Sequence, residues 1–221
     1  MKRTFDICMA ALGLVLMAPL LAIISVLIKL DSQGPVIFRQ IRVGQGFRPF
    51  AIQKFRTMVV DAPGTGLPLT VGQDSRITQI GRILRKCKLD ELPQLWNVLV
   101  GDMSFVGPRP EVPRYVERLR SEFSEVLTVR PGITDLASLR YIDEASILAY
   151  SSNPEEEYQL KVLPEKIRLA KFYIRHMSLR LDLAIIMQTL LHIARIPVVV
   201  FTLPALKAVV DPPSASPWTS L

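Results

Sequence analysis

An unbroken apolar run from Ile7 to Ile28 constrains this chain more than any other feature. Its 22 residues carry no charge, and Asp6 and Lys29 bracket it. As a helix, such a run is long enough to cross the roughly 30 Å hydrocarbon core of a bilayer, so the chain is read as membrane-attached. Pro19 falls just past the middle of the run. Proline in a helix removes a backbone donor and crowds the preceding turn, so a break is expected at Met17-Ala18-Pro19. In lipid the freed carbonyls need partners, which gives a break there a structural role.

Charge bears on whether the run crosses or turns back. Lys2 and Arg3 precede it; Lys29, Arg39, Arg42, Arg48, Lys54 and Arg56 follow. Basic flanks favour the cytoplasmic side. A helix that breaks at Pro19 and re-enters on its own side satisfies both flanks, and a straight span does not. A single-pass anchor stays open beside re-entry. A cleaved secretory signal fits less well, because signals have a shorter apolar core followed by tolerant sequence, and here a basic segment follows.

The 221 residues suffice for one domain with a real core. The net charge of +7 suits anionic headgroups and phosphorylated ligands. Nucleic acid is not expected as a partner: there is no zinc-ligand spacing, aromatic-rich strand motif or recognition helix. Cys8 opens the apolar run and Cys87 lies among basic residues. No disulfide is expected between such settings, which fits a cytoplasm-facing protein.

Beyond the run the pattern is α+β and mainly helical, with a small hairpin. Val36-Ile37-Phe38 and Phe50-Ala51-Ile52 flank the turn Val43-Gly44-Gln45-Gly46. Ala62 to Gly72, with Pro63, Gly64, Gly66 and Pro68, reads as a loop. Asp74 can cap a helix carrying Ile77, Ile80 and Leu84. A second helix starts near Asp90, with Leu92, Leu95, Trp96 and Leu99 at helical spacing, Pro93 in its first turn and Gly101 at its end. Pro108, Pro110 and Pro113 break regular structure, and Arg130-Pro131-Gly132 marks a turn. Glu155 to Arg195 is helical in pattern, with a break expected at Pro164. Lys161 to Arg180 is basic and amphipathic; it suits either the lipid interface, with Ile167, Phe172 and Ile174 inward, or an ordinary solvated helix. His176 and His192 have no metal-ligand spacing and read as structural. Val198 to Leu206 is too short to span and reads as a packing or dimer surface, and the Pro- and Ser-rich tail from Asp211 as disordered. Three regions result: a membrane segment (1–33), a catalytic domain with interfacial helices (34–195) and a C-terminal extension (196–221).

Asp90 and Glu91 carry the chemistry. Acids favour a helix's first turn simply because they oppose the macrodipole. This pair, however, follows Arg82, Arg85, Lys86 and Lys88 and precedes Arg109 in a frame of prolines. Arginines and helix-start amides together make an anion site. That positive field is expected to keep Asp90 ionised, and an ionised aspartate can attack phosphorus. Glu91 can hold Mg²⁺, which prefers carboxylate, water and phosphate oxygens. Adjacent helical residues point about 100° apart, so one carboxylate can face the phosphorus while the other binds metal.

Leu89-Asp90-Glu91-Leu92-Pro93-Gln94-Leu95-Trp96-Asn97-Val98-Leu99, Gly101-Asp102-Met103-Ser104 and Val106-Gly107-Pro108-Arg109-Pro110 together resemble the bacterial sugar transferases. These are monotopic phosphoglycosyl transferases that begin glycoconjugate or exopolysaccharide assembly on polyprenyl (undecaprenyl) phosphate. Gly34-Pro35-Val36-Ile37-Phe38, Lys54-Phe55-Arg56-Thr57-Met58 and Arg130-Pro131-Gly132-Ile133-Thr134 agree, and the likeness runs from about Lys2 to Arg195. The chain begins directly at the apolar run, as in the family's small form.

The resemblance implies transfer of a sugar-1-phosphate from a UDP-sugar to polyprenyl phosphate, with UMP leaving. It implies Asp90 as nucleophile of a ping-pong reaction, Glu91 with Mg²⁺, and Arg109 in the phosphate or nucleotide site. Lys54, Arg56, Arg130 and Lys88 are the further anion contacts expected. It implies re-entry at Pro19, and a bacterial inner membrane with the catalytic domain on its cytoplasmic face. The partners expected are the UDP-sugar, the lipid phosphate, the phospholipid bilayer, downstream glycosyltransferases and a second copy of the chain. A non-catalytic membrane-bound scaffold that binds nucleotide sugar or a partner enzyme is the alternative. Two departures stand out. Ala18 precedes Pro19 where the family often has serine, whose hydroxyl can cap freed carbonyls. Asp135-Leu136-Ala137-Ser138 stands where the family usually has Gly-Leu-Ala-Gln, which puts a charge beside the expected site. Sugar selection is expected to fall to loops such as 62–72 and 135–153.

Overall fold

The computed structural model describes residues 2–60, 74–141 and 144–194. The loop expected at 62–72 and the extension 196–221, with its apolar patch and its tail, lie outside them.

The apolar run forms most of α1, Lys2–Asp31, a 30-residue helix about 45 Å long. Helical structure continues through Pro19 without interruption. Proline's fixed φ is itself helical, so the missing donor need not end the helix. A narrow face of α1 joins the protein core: Ala10, Ile24 and Ile28 are buried, while Leu12, Val15, Leu16, Ile23, Val26 and Leu30 are exposed. The helix extends past the apolar run because the domain satisfies its polar ends. The Lys2 Nζ donates to the Val106 carbonyl (3.0 Å), the Tyr173 hydroxyl (3.0 Å) and Asp182 Oδ2 (2.5 Å). At the other end Asp31 Oδ2 accepts from the Ile80 amide (3.1 Å).

The hairpin is β1 (Ile37–Val43) and β2 (Pro49–Phe55), antiparallel from Ile37↔Phe55 to Val43↔Pro49. Gly46 turns it at φ 67° in a 3₁₀ turn, Gln45–Phe47. Next comes α2 (Gln79–Lys86), whose N-cap is Thr78 rather than the expected Asp74: the Thr78 hydroxyl accepts from the Gly81 amide (3.0 Å). Asp74 instead pairs with Arg76 (2.6 Å), because Ile77 is drawn into an isolated bridge with Met58 and the chain stays extended there.

A 3₁₀ turn at Leu89–Glu91 leads into α3 (Gln94–Val100), which ends at Gly101 with φ 103°. Trp96, counted above with the helix's apolar positions, is half exposed. Two short parallel strands follow, β3 (Ser104–Val106) and β4 (Gly132–Thr134), separated by α4 (Pro113–Arg118) and α5 (Arg120–Val126). They pack so closely that a Cβ on Gly132 would lie 2.1 Å from the Gly107 amide nitrogen. Then come α6 (Leu136–Arg140), α7 (Glu144–Ala149) and α8 (Pro154–Glu157). A π-helical turn at Tyr158–Val162 joins α8 to α9 (Leu163–Arg175), and α10 (Leu179–Ile193) closes the described chain.

Pro164 does not break this segment. It is the second residue of α9, directly after the π-helical turn at Tyr158–Val162, and the helical run continues across it. The interruption comes later, at residues 176–178, where Ser178 caps α10. The basic residues of α9 face acids: Lys166 pairs with Glu144 (2.5 Å), Arg168 with Glu165 (2.6 Å), Lys171 with Glu122 and Arg175 with Glu125 (2.9 Å). Leu163, Ile167, Leu169, Ala170 and Tyr173 are buried, so the apolar side of α9 packs on the core. The His176 ring stacks on Phe172, the structural place expected for it. Cys8 and Cys87 are free thiols.

Candidate active site

The site forms where β2, the turn before α3, and the Pro-Arg-Pro bend meet. Lys88 reverses the chain after α2 with a left-handed backbone, φ 56°. The tight turn that follows places Asp90 and Glu91 side by side, just ahead of α3 rather than within its first turn. Two anchors hold α3 in place. At its middle the buried Asn97 acts as a substitute strand: its Oδ1 accepts from the Gln53 amide (3.0 Å) and its Nδ2 donates to the Ala51 carbonyl (2.9 Å). At its end Arg3 donates to the carbonyls of Val98 (2.6 Å) and Leu99 (2.9 Å), and Arg130 Nε to that of Gly101 (2.9 Å). Cations at a helix C-terminus are favourable against the macrodipole.

Glu91 is the electrostatic hub. Its Oε1 accepts from Lys54 Nζ (2.6 Å) on β2 and from Arg109 Nη2 (2.7 Å) in the Pro-Arg-Pro bend. Burial alone would raise the Glu91 carboxyl, but the Arg109 and Lys54 charges and hydrogen bonds outweigh it and hold it well below the usual range. The same carboxylate strengthens the hold of Arg109 on its proton. Burial weakens that of Lys54, with Glu91 opposing.

Asp90 is 8% exposed, and its Oδ1 has no hydrogen-bond partner. Burial and the adjacent Glu91 charge raise its carboxyl above the ordinary value, against the opposing pull of Lys54, Arg85 and Lys88. At Asp90 desolvation and the Glu91 charge thus work against the positive field that is expected to keep it ionised, while the field acts more strongly on Glu91.

Of the expected anion contacts, Lys54 and Arg109 meet at Glu91, and Lys88 is an exposed neighbour in the charge field of Asp90. Arg56 is buried and donates to the Ser32 carbonyl (2.7 Å) and Oγ (2.9 Å), against the end of α1. Arg130 serves the end of α3.

The sequence reading passed over Gln94 and Asn97. Both are 1% exposed, and Gln94 Nε2 has no hydrogen-bond partner. Asp90, Gln94 and Asn97 stand at i, i+4 and i+7, a polar stripe inside an apolar helix pattern, and that spacing is legible in the sequence. Arg85, one of the basic residues counted before Asp90, brings its charge to Asp90 and donates Nε to Thr57 Oγ1 (2.8 Å).

Among the described residues no group of three or more acidic, histidine or cysteine side chains is placed to hold a metal. Asp90 and Glu91 alone supply a hard-oxygen set, with the unpartnered buried Oδ1 of Asp90 as its clearest vacant acceptor. Mg²⁺ commonly takes one or two carboxylates plus water and substrate phosphate, so the pair fits that ion.

Known proteins give the same direction. A UDP-glucose:undecaprenyl-phosphate glucose-1-phosphate transferase of Caulobacter vibrioides is 39% identical over 191 residues, covering 85% of this chain and 67% of the relative. A UDP-N-acetylgalactosamine-undecaprenyl-phosphate N-acetylgalactosaminephosphotransferase of Aeromonas hydrophila is 38% identical over 192 residues, covering 86% of this chain but only 42% of its own length. The exopolysaccharide production protein PSS of Rhizobium leguminosarum is 44% identical over 147 residues, 63% of this chain and 74% of that one. Residues 1–195, which hold every group described above, match the bacterial sugar transferase family, and the chain belongs to it.

Proposed function

We propose that the chain transfers a sugar-1-phosphate from a UDP-sugar to polyprenyl phosphate and releases UMP. The observation that carries this reading is the pairing of a buried, unpartnered Asp90 oxygen with Glu91 clamped between Lys54 and Arg109. The Caulobacter and Aeromonas relatives, by their names, act between a UDP-sugar and undecaprenyl phosphate.

In the proposed mechanism Asp90 Oδ1 attacks the phosphorus that carries the sugar. The new P–O bond to aspartate forms as the anhydride bond to UMP breaks, and UMP departs with that electron pair. An oxygen of polyprenyl phosphate then attacks the same phosphorus, and the Asp90 carboxylate leaves. Asp90 is an acid with a raised affinity for its proton, so attack requires its anionic form; Lys54, Arg85 and Lys88 favour that form. Arg109 and Lys54 supply donors for phosphate oxygens once the substrate competes for them with Glu91. Mg²⁺, held by Glu91, would neutralise diphosphate charge.

The proposed setting is the cytoplasmic face of a bacterial inner membrane, with α1 re-entering rather than crossing. Support comes from both ends of α1 being tied to one domain, Lys2 to Asp182 and Asp31 to Ile80. The exposed apolar residues of α1, with Leu179, Leu183, Met187, Leu190 and Ile193 of α10, supply the surface for lipid.

The test is UMP release from a panel of UDP-sugars, with polyprenyl phosphate and Mg²⁺, by the chain in nanodiscs. With donor alone, mass spectrometry should find a sugar-phosphate on the peptide carrying Asp90. UMP release that needs both substrates, without any adduct, would shift the chemistry to direct attack by the lipid phosphate.

A further inference from the structure

Asp135 stands where a charge beside the site was unexpected, and the structure gives that charge a use. We propose that Asp135 is a positioning residue that aims the Arg109 guanidinium, an inference that rests on the phosphate-binding role assigned to Arg109 above.

Pro108 and Pro110 have no backbone N–H, so the amide of Arg109 is the single backbone donor within the Pro-Arg-Pro bend. Asp135 takes it: Oδ2 accepts from the Arg109 amide at 3.2 Å. Its other oxygen, Oδ1, accepts from the Ser138 amide at 2.7 Å and caps α6. One carboxylate thereby joins the bend to the start of α6. The residue is 5% exposed.

The rest of the bend is already held on its N-terminal side. Gly107 donates to the Thr134 carbonyl (3.2 Å), and the Pro108 carbonyl accepts from the Gly132 amide (3.0 Å). Arg109 is the next residue along, and Asp135 continues the same attachment onto it. Its side chain is then fixed at two points: the backbone by Asp135 and Nη2 by Glu91. When a donor phosphate draws the guanidinium from Glu91, the bond from Asp135 still holds the Arg109 backbone itself, between the attachments of Pro108 and of the Pro110 carbonyl, which accepts from Arg42 Nη1 (3.0 Å). A guanidinium recognises phosphate through a planar fork, so a small error in aim costs more than an equal error at an ammonium.

Only a two-oxygen acceptor serves both amides, and this separates the cap from the aim. Asp135→Ser retains a good N-cap for α6 but is too short and has too few acceptors to reach Arg109 as well. Asp135→Asn keeps the shape and offers one acceptor in place of two, with an N–H facing the other amide. Both variants, in nanodiscs, are compared with the parent by thermal melt and by kcat and KM for the UDP-sugar. We expect melting temperatures close to the parent for Asp135→Ser and a fall of about tenfold or more in kcat/KM for both variants, the scale of a misplaced reacting group. In an Arg109→Lys background, where no fork remains to aim, Asp135→Ser should cost much less than it does in the parent. Unchanged kcat/KM in both variants overturns the proposal. So does an equal loss in the Arg109→Lys background, or a loss of activity that only follows a loss of melting temperature. A parent chain that releases no UMP from any UDP-sugar refutes the transferase reading itself, a result these comparisons keep apart.

Discussion

Replacing the proposed nucleophile should stabilise the protein while abolishing its turnover. Asp90 is nearly buried, its Oδ1 lacks a partner, and Glu91 stands beside it. A buried acceptor left unmade costs about 1–3 kcal/mol, and burial with the Glu91 charge raises the Asp90 carboxyl above its ordinary 3.8. A carboxyl raised by folding binds its proton more tightly in the folded state. Its penalty is therefore absent below the ordinary value, grows as pH rises through the interval up to the folded value, and is complete above it. Asp90→Asn removes that penalty at neutral pH. A gain of about 1 kcal/mol, the lower end of that range, corresponds to about 2–4 °C in a chain of this size. Differential scanning fluorimetry in nanodiscs, without substrate and with chelator, reads it at pH 7.5 and again near pH 4. The gain should be present at pH 7.5 and shrink near pH 4. A variant that melts below the parent at pH 7.5, or a gain equal at both pH values, would refute this account of Asp90.

Its neighbour should behave in the opposite way. Glu91 is held below the usual range because Arg109 and Lys54 outweigh burial, so its stabilisation is present above about pH 4.5 and lost as pH falls through the lower folded value. Glu91→Gln should therefore cost about 1–2 kcal/mol at neutral pH, discounted for the partly exposed cations, and the deficit should fade in acid. Calorimetry at two pH values checks this, and the same variant should need more Mg²⁺ for half-maximal UMP release. Lys2→Met leaves Asp182 buried beside Tyr173 alone and should lower the melting temperature by a few degrees, about 1–2 kcal/mol; Asp182→Asn in that background should restore part of the loss. Single cysteines at Thr4 and Ser32, in a background with Cys8 and Cys87 replaced, should label from the same side of the membrane; opposite sides would contradict re-entry.

Local patterns made much of this fold legible. The hairpin, the end of α3 at Gly101 and the run of α1 follow from turn residues and unbroken hydropathy. What stayed hidden depended on partners far along the chain. Asp74 has the chemistry of a cap, but the bridge from Met58 to Ile77 moves the helix start to Thr78. A break is expected at Pro164, but the run passes through it behind a π-helical turn, a local rewinding that residue type does not announce. At the site, residue type and spacing identified Asp90, Glu91 and Arg109 as candidates, and the family resemblance added Lys54. Arg56 and Arg130 share the same chemistry, yet their hydrogen bonds go to the ends of α1 and α3. The protonation balance at Asp90 depends on burial, which a charge count along the sequence does not contain.

The attachment of Lys2 to Asp182 has a consequence for how the protein is made. The partners stand 180 residues apart, and Lys2 is made before Asp182, so this end of α1 cannot be seated until nearly the whole domain has been synthesised. During that interval the polar start of α1 lacks its acid partner, although the core partners of Ala10, Ile24 and Ile28, among them Ile52, Phe55, Leu84, Val98 and Met103, have already been made. The helix can therefore dock along its buried stripe first and be locked at Lys2 last, so the two ends of α1 are secured at different stages of synthesis.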